Sequence, residues 1–274
     1  MEVSPTSGLA VALGSSFLGY YAHAGFLNGL ADAGVIPERI SGASAGAISG
    51  SLFASGMRGA DLEKAALDPA LRWSFFDWSA FHRLPGLITG FGASGLLSGK
   101  SAVRHLRTVV GDTDLSTLRD PIMEIAVTDA ENHRPEILRS GPLAEIIVAS
   151  CAVPGLIQIQ NVGDAHYIDG GVACEIPFEQ WLDDNTVDTI LIHRVIRGTP
   201  GTKVRRSLFH AVGSVHRTVC GELHRHRSGL AISKGKRLIE IETATPIPGL
   251  LSARNSHACY KLGLASGVRA AGNL

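Results

Sequence analysis

The chain has 274 residues, 45% of them hydrophobic and 18% charged. It can bury a sizeable core, and a disordered chain is excluded. Lys+Arg and Asp+Glu both number 25, so the net charge is zero and gives no overall case for a nucleic-acid partner. Cys151, Cys174, Cys220 and Cys259 form no CxxC pair, which argues against a disulfide framework or a Cys/His zinc site. Neither a metal nor another cofactor is expected, and one domain over 1–274 is the simplest division.

In chain order, residues 9–13 are an apolar run that ends in a Gly/Ser turn and predicts a buried strand. Residues 21–33 predict a helix with Gly34 as C-cap. A short strand at 39–41 leads into a small-residue helix over 45–55, followed by a helix at 61–71. Helices are expected at 101–110 and 142–150, and strands at 122–128 and 166–169. Further strands are expected at 189–196 and 237–243, with a last helix over 257–271. Leu208, Val212, Val215, Val219 and Leu223 step by 4, 3, 4 and 4, the spacing of an amphipathic helix. Strands that alternate with helices imply a mostly parallel, helix-covered sheet. Residues 1–8 carry Glu2 and no Lys or Arg, so they lack a secretory leader's basic start. His23, Asn28 and four glycines interrupt the apolar stretch 9–30, which therefore reads as strand plus helix rather than a membrane span. A cytoplasmic location, with peripheral membrane contact, is the expectation.

Gly42-Ala43-Ser44-Ala45-Gly46 is the sole GxSxG. In a strand–turn–helix context such a turn lifts the serine oxygen above a sheet, and glycines two before and two after prevent clashes. The next helix's N-terminal N–H groups, Ala45 first, favour a developing oxyanion. The alternative is a close-packed turn with no chemistry. Asp169-Gly170-Gly171 is a second signal, because an aspartate at a strand end can present its carboxylate at the sheet edge; the alternative is an ordinary Asp-Gly turn. Upstream, Gly14-Ser15-Ser16-Phe17-Leu18-Gly19 can form a nest of backbone N–H groups for an oxyanion or a phosphate.

In this order the glycine-containing loop, GxSxG and Asp-Gly-Gly together resemble the patatin-like phospholipase family. Leu96-Leu-Ser-Gly-Lys100, Ala149-Ser-Cys-Ala-Val-Pro-Gly-Leu156 and Asp169-Gly-Gly-Val-Ala-Cys-Glu-Ile-Pro177 extend the match, which runs from about Leu9 to Val195 with a weaker echo in the last helix. The resemblance implies a three-layer α/β/α sandwich with a mostly parallel central sheet. It also implies hydrolysis of lipid acyl esters by a Ser–Asp dyad, with Ser44 as nucleophile and Asp169 as its base. Oxyanion donors are then expected at Gly14, Ser15, Ser16 and Ala45, with Gly42, Gly46, Gly170 and Gly171 as motif glycines. The chain departs from the family in this loop. Most of the glycines are replaced, and Gly19 stands where an Arg or Lys is expected. Phe17 and Leu18 must adopt a backbone that bulky residues resist. These departures leave open a lipid-binding descendant without turnover. A nucleotide-binding protein using Gly14–Gly19 as a phosphate loop is the other rival, although the Walker lysine is missing.

His23, His166 and His193 read as structural rather than as a third catalytic member, and Cys151 as a buried small residue. Residues 73–91 hold six of the 16 aromatics, as plain packing or as an acyl pocket or lid. Residues 194–237 hold 11 Lys/Arg and one acid, Glu222, so the neutral total hides an asymmetry. This segment reads either as a solvated, acid-paired face or as a contact with an anionic membrane.

Overall fold

The computed structural model describes residues 6–77, 80–89, 92–197, 208–249 and 252–274. The strands are β1 (Thr6–Leu13), β2 (Pro37–Ala43), β3 (Gly95–Leu97), β4 (Ile122–Asp129), β5 (Arg134–Leu138), β6 (Gly155–Ile157), β7 (Gln160–Val162), β8 (Ala165–Asp169), β9 (Thr189–Arg197) and β10 (Arg237–Thr245). The helices are α1 (Tyr20–Asp32), α2 (Ala45–Ala54), α3 (Gly59–Leu67), α4 (Pro69–Ser74), α5 (Ala80–Thr89), α6 (Lys100–Val110), α7 (Leu143–Ser150), α8 (Leu208–Ser233) and α9 (Ser256–Ala271).

The main sheet runs β10-β9-β1-β2-β4-β8-β7, with β5 also paired to β4. Its first five strands are parallel, while β5 and β8 run antiparallel to β4 and β7 antiparallel to β8. β3 and β6 form a separate parallel pair. Burial on both faces makes β1 almost wholly apolar, as parallel strands require. Its period-two alternation sends Leu9, Val11 and Leu13 to one core and Ala10 and Ala12 to the other. The first core is covered by α1, α2, α3, α6, α7 and α9. The second is closed by Ile176, Phe178, Trp181 and Leu182 with Ala231 of α8. This is the expected α/β/α layering, with one outer layer thinner than the other.

Helices α1 and α9 meet backbone to backbone. A Cβ on Gly25 or Gly29 would stand 2.1 or 2.2 Å from the carbonyl oxygen of Tyr260 or Leu264, and one on Gly263 or Gly267 2.0 or 2.1 Å from that of Ala22 or Phe26. Each pair is four residues apart and so lies on one helix face.

The helix expected at 61–71 is two helices. Pro69 cannot continue α3, and Asp68 caps the next helix by accepting from the Ala70 N–H at 2.8 Å. The α8 stripe also departs from expectation, because Val215 and Val219 face solvent and it is Arg227 and Ala231 that are buried. Leu208 and Val212 fall among side chains outside the described set. Among the described residues no helix is long and apolar enough to cross a membrane.

Candidate active site

Two strands end against one another at the site. β2 pairs with Ile122–Ala126 of β4 and β8 with Val127–Asp129. β5 occupies Ile125–Asp129 and therefore overlaps both. A strand has two edges, so β2 and β8 share the edge that β5 leaves open, one after the other. Ala43 faces Ala126 and Asp169 faces the next residue, Val127. Ser44 follows Ala43, so this register brings residues 44 and 169 together. Cys151 lies against both. Burial pushes its thiol pKa well up, the Asp169 carboxylate pushes it further, and a hydrogen bond with the Ser44 side chain works against them.

Ser44 sits between β2 and α2 with φ 53° and ψ −113°. Its N–H donates to the Ser150 hydroxyl at 2.8 Å, and that hydroxyl donates to the Ala126 carbonyl at 2.7 Å. The turn is thereby tied to β4. A Cβ on Gly42 would stand 2.4 Å from the Gly46 carbonyl carbon, and one on Gly46 2.3 Å from the Leu13 carbonyl oxygen, so neither position has room for a side chain. On the other side, the Gly171 N–H donates to Asp169 Oδ1 at 2.7 Å. The Thr128 hydroxyl donates to the Asp169 carbonyl at 2.9 Å and accepts from the Ala173 N–H at 3.2 Å. A Cβ on Gly170 would strike the Ala126 carbonyl oxygen at 2.1 Å, and one on Gly171 the Ser15 hydroxyl at 2.3 Å. All four motif glycines are thus required by close approach. Ser150 and Thr128 are positioning residues that sequence reasoning missed; Ser150 lies within a matched stretch, while Thr128 offered no signal.

The loop before α1 corrects part of the oxyanion expectation. The Gly14 N–H already donates to the His193 carbonyl at 3.1 Å and the Ser15 N–H to the Glu175 carbonyl at 2.7 Å. Among the described residues, the N–H groups of Ser16 and Ala45 have no such partner, and both residues line the cavity beside Ser44. Leu18 holds φ 55°, a left-handed conformation that a bulky residue rarely adopts. Gly19, where a cation was expected, is needed for space: a Cβ there would stand 2.5 Å from the Ser16 hydroxyl.

Behind the loop, His23 Nε2 reaches the Gly14 carbonyl at 2.9 Å, so that nitrogen carries the proton. His23 Nδ1 then accepts from His193 Nδ1–H at 2.8 Å, and His193 Nε2 accepts from the Thr243 hydroxyl at 2.8 Å. Phe26 stacks on His193 with ring centroids 3.9 Å apart. Burial lowers His23 to about 4 and His193 well below its ordinary value, so both imidazoles are neutral structural links. His166 pairs with Glu131 at 2.8 Å on the surface.

A cavity of about 710 Å³, counting the space open to solvent, is lined by Ser44, Ser16, Ala45 and a mainly apolar wall. Phe75 and Phe76 contribute to that wall, whereas Trp73 and Phe81 are exposed. The aromatic segment is therefore part pocket and part surface; Trp78 and Phe91 lie outside the described residues. Among the basic residues of 194–237, Arg194 pairs with Glu240 and Glu242, Arg225 with Glu222, Arg227 with Glu179 and Lys234 with Asp183. Lys203, Arg205 and Arg206 lie outside the described residues.

Comparison with known proteins bears on the family and the fold. Uncharacterized NTE family proteins of Mycobacterium bovis and Mycobacterium tuberculosis are each 30% identical over 185 residues, which cover 67% of this chain and 48% of theirs. The chain thus spans about half the length of these curated relatives. The crystal structure of VipD from Legionella pneumophila shares the fold, with a TM-score of 0.52 at 15% identity over 97% of this chain and 67% of that one. The family model described as patatin-like phospholipase matches residues 11–182, a span that holds the loop, Ser44 and Asp169. The chain belongs to the patatin-like phospholipase family.

Proposed function

We propose that this chain hydrolyses carboxylic esters of lipids, in the manner of a phospholipase A or lysophospholipase, through a Ser44–Asp169 dyad. Membership of the family supports lipid hydrolysis as the reaction class. The observation that carries the dyad is the register on β4, where Ala43 and Asp169 face consecutive residues. In the proposed reaction Asp169 takes the Ser44 hydroxyl proton as Oγ attacks the acyl carbonyl. The Ser16 and Ala45 N–H groups hold the oxyanion. The intermediate collapses as the proton passes to the departing alcohol; water then attacks the acyl-serine, giving a proton to Asp169, which returns it to Ser44 Oγ as the fatty acid leaves. No metal is invoked, since serine supplies the nucleophile and N–H groups the charge stabilisation.

Ester hydrolysis by wild type, Ser44→Ala and Asp169→Asn tests this. Loss of activity in the first variant and a fall of about 10²-fold or more in the second are expected. Activity retained by Ser44→Ala removes Ser44 from the mechanism, and a two-fold loss in Asp169→Asn points to another base. One observation favours a rival, a lipid-binding protein without turnover: two of the four expected oxyanion donors are tied to carbonyls.

The proposal extends to location. The chain is placed in the cytoplasm, and its peripheral contact with anionic membranes is supported by the surplus charge of residues 194–237 and by exposed Phe81, Leu84 and Ile88 on one stripe of α5.

A further inference from the structure

The proposed chemistry leaves two fully buried imidazoles unused. His23 of α1 and His193 of β9 are both 0% exposed and lie behind the loop that carries the Ser16 N–H. The Gly14–Ser15 peptide at the start of that loop is held at both ends. Its carbonyl accepts from His23 Nε2–H at 2.9 Å, and its N–H donates to the Glu175 carbonyl at 2.7 Å. A peptide is planar, so these two bonds set its orientation. The Ser16 N–H belongs to the next peptide along. Beyond it, the Ser16 carbonyl accepts from the Gly19 N–H at 2.8 Å. The proposed oxyanion donor thus sits between two anchored peptides, and an imidazole ring supplies one of the anchors.

The hydrogen bonds behind that ring have a direction. The Gly14 carbonyl can only accept, so His23 Nε2 carries its proton and neutral His23 accepts at Nδ1. His193 Nδ1–H meets that lone pair at 2.8 Å, which leaves His193 Nε2 to accept from the Thr243 hydroxyl at 2.8 Å. Removing the Thr243 hydroxyl strands a buried lone pair on His193. Moving both ring protons to relieve it turns the His23 Nε2 lone pair on the Gly14 carbonyl. Either outcome costs a buried hydrogen bond, and the second releases the Gly14–Ser15 peptide. An N–H group stabilises developing charge well only when it is already aimed at it.

We infer that Thr243, His193 and His23 form a positioning chain that aims the Ser16 N–H at the oxyanion. The inference rests on the ester-hydrolase reading with Ser44 as nucleophile. None of the three residues touches substrate or a reacting atom. His23 acts through the Gly14 carbonyl, and Thr243 acts through both rings.

Turnover counted per active serine separates positioning from mere folding. Active molecules are counted by intact mass after fluorophosphonate labelling to completion, and kcat and KM come from hydrolysis of p-nitrophenyl butyrate. His23→Leu is expected to lower kcat per labelled serine by about ten-fold or more, with KM within about two-fold of wild type. His23→Gln, whose amide offers both a donor and an acceptor, should stay within about three-fold of wild type. Thr243→Val, at the far end of the chain, should lower kcat by about three-fold or more, and Thr243→Ser should restore it. This pair decides the matter where His23→Leu fails to fold. A merely structural role lowers the labelled fraction and the melting temperature but leaves kcat per labelled serine unchanged, and that result overturns the inference. So does a fall confined to KM, or a conservative variant as impaired as its disruptive counterpart. Wild type that takes no adduct and hydrolyses no ester overturns the hydrolase reading and the inference with it, whereas a labelled, active wild type with unaffected variants overturns the inference alone.

Discussion

Ser44 holds a backbone conformation, φ 53° and ψ −113°, that glycine tolerates and a residue with a Cβ does not favour. Such strain costs about 1–3 kcal/mol and persists where the surroundings over-determine it. Here the surroundings are the Ser150 hydroxyl on its N–H and the closed spaces at Gly42 and Gly46. Ser44→Ala keeps the Cβ and should melt within a few degrees of wild type. Ser44→Gly releases the strain and should be more stable than Ser44→Ala by about 1 kcal/mol or more in denaturant unfolding. Equal stability of the two variants would mean that the turn is not strained. GxSxG made this residue legible, because the motif needs small residues for a reason that the turn displays. The loop was less legible. Glycine at 14 and serine at 15 and 16 suggest free N–H groups, but hydrogen-bond direction depends on where the Glu175 and His193 carbonyls lie, 160 and 179 residues further along the chain, and local pattern does not carry that.

Four elements meet behind the loop through one hydrogen-bonded chain: Thr243 of β10, His193 of β9, His23 of α1 and the Gly14 carbonyl at the end of β1. With both imidazoles neutral, every ring nitrogen in it is satisfied. An unfolded histidine takes a proton near pH 6.5, whereas burial holds His23 at about 4 and His193 well below its ordinary value. The unfolded chain therefore binds more protons between these values. Stability from the pair is present in full above about pH 6.5 and is lost as pH falls toward 4. The loss from His23 alone should reach about 2 kcal/mol by pH 5, read as the shift in urea midpoint between pH 7 and 5. A stability flat over that range contradicts the neutral pair. The main strands and helices at this scale were legible from apolar runs and periodicity, and the missed ones have physical reasons. β5 is partly exposed and carries Pro135, while β3, β6 and β7 are three-residue strands defined by partners rather than by pattern. The α1–α9 contact rests on four glycines whose spacing reads equally well as surface or interface.

At the scale of the whole molecule, charge and apolar surface are unevenly placed. The stretch 194–237 carries a net +10 and the remainder −10. Four of its described cations are paired within the protein, which removes them from any contact that depends on free charge. If the remaining surplus meets an anionic membrane, raising salt from about 0.1 to 0.5 M should release the protein from anionic vesicles in a sedimentation assay. Binding that is insensitive to salt contradicts the electrostatic contact and leaves the exposed apolar stripe of α5 as the only support. The α8 stripe shows why periodicity misleads at this scale. Apolar spacing of 3 and 4 marks a face but not what covers it, and Val215 and Val219 turn that face to solvent.

The central claim is an activated Ser44, and intact-mass analysis after incubation with a fluorophosphonate tests it most directly. Wild type is expected to gain one adduct and Ser44→Ala none. A folded wild type that gains no adduct, with detergent or vesicles present as well as without, contradicts the hydrolase and leaves the lipid-binding protein without turnover.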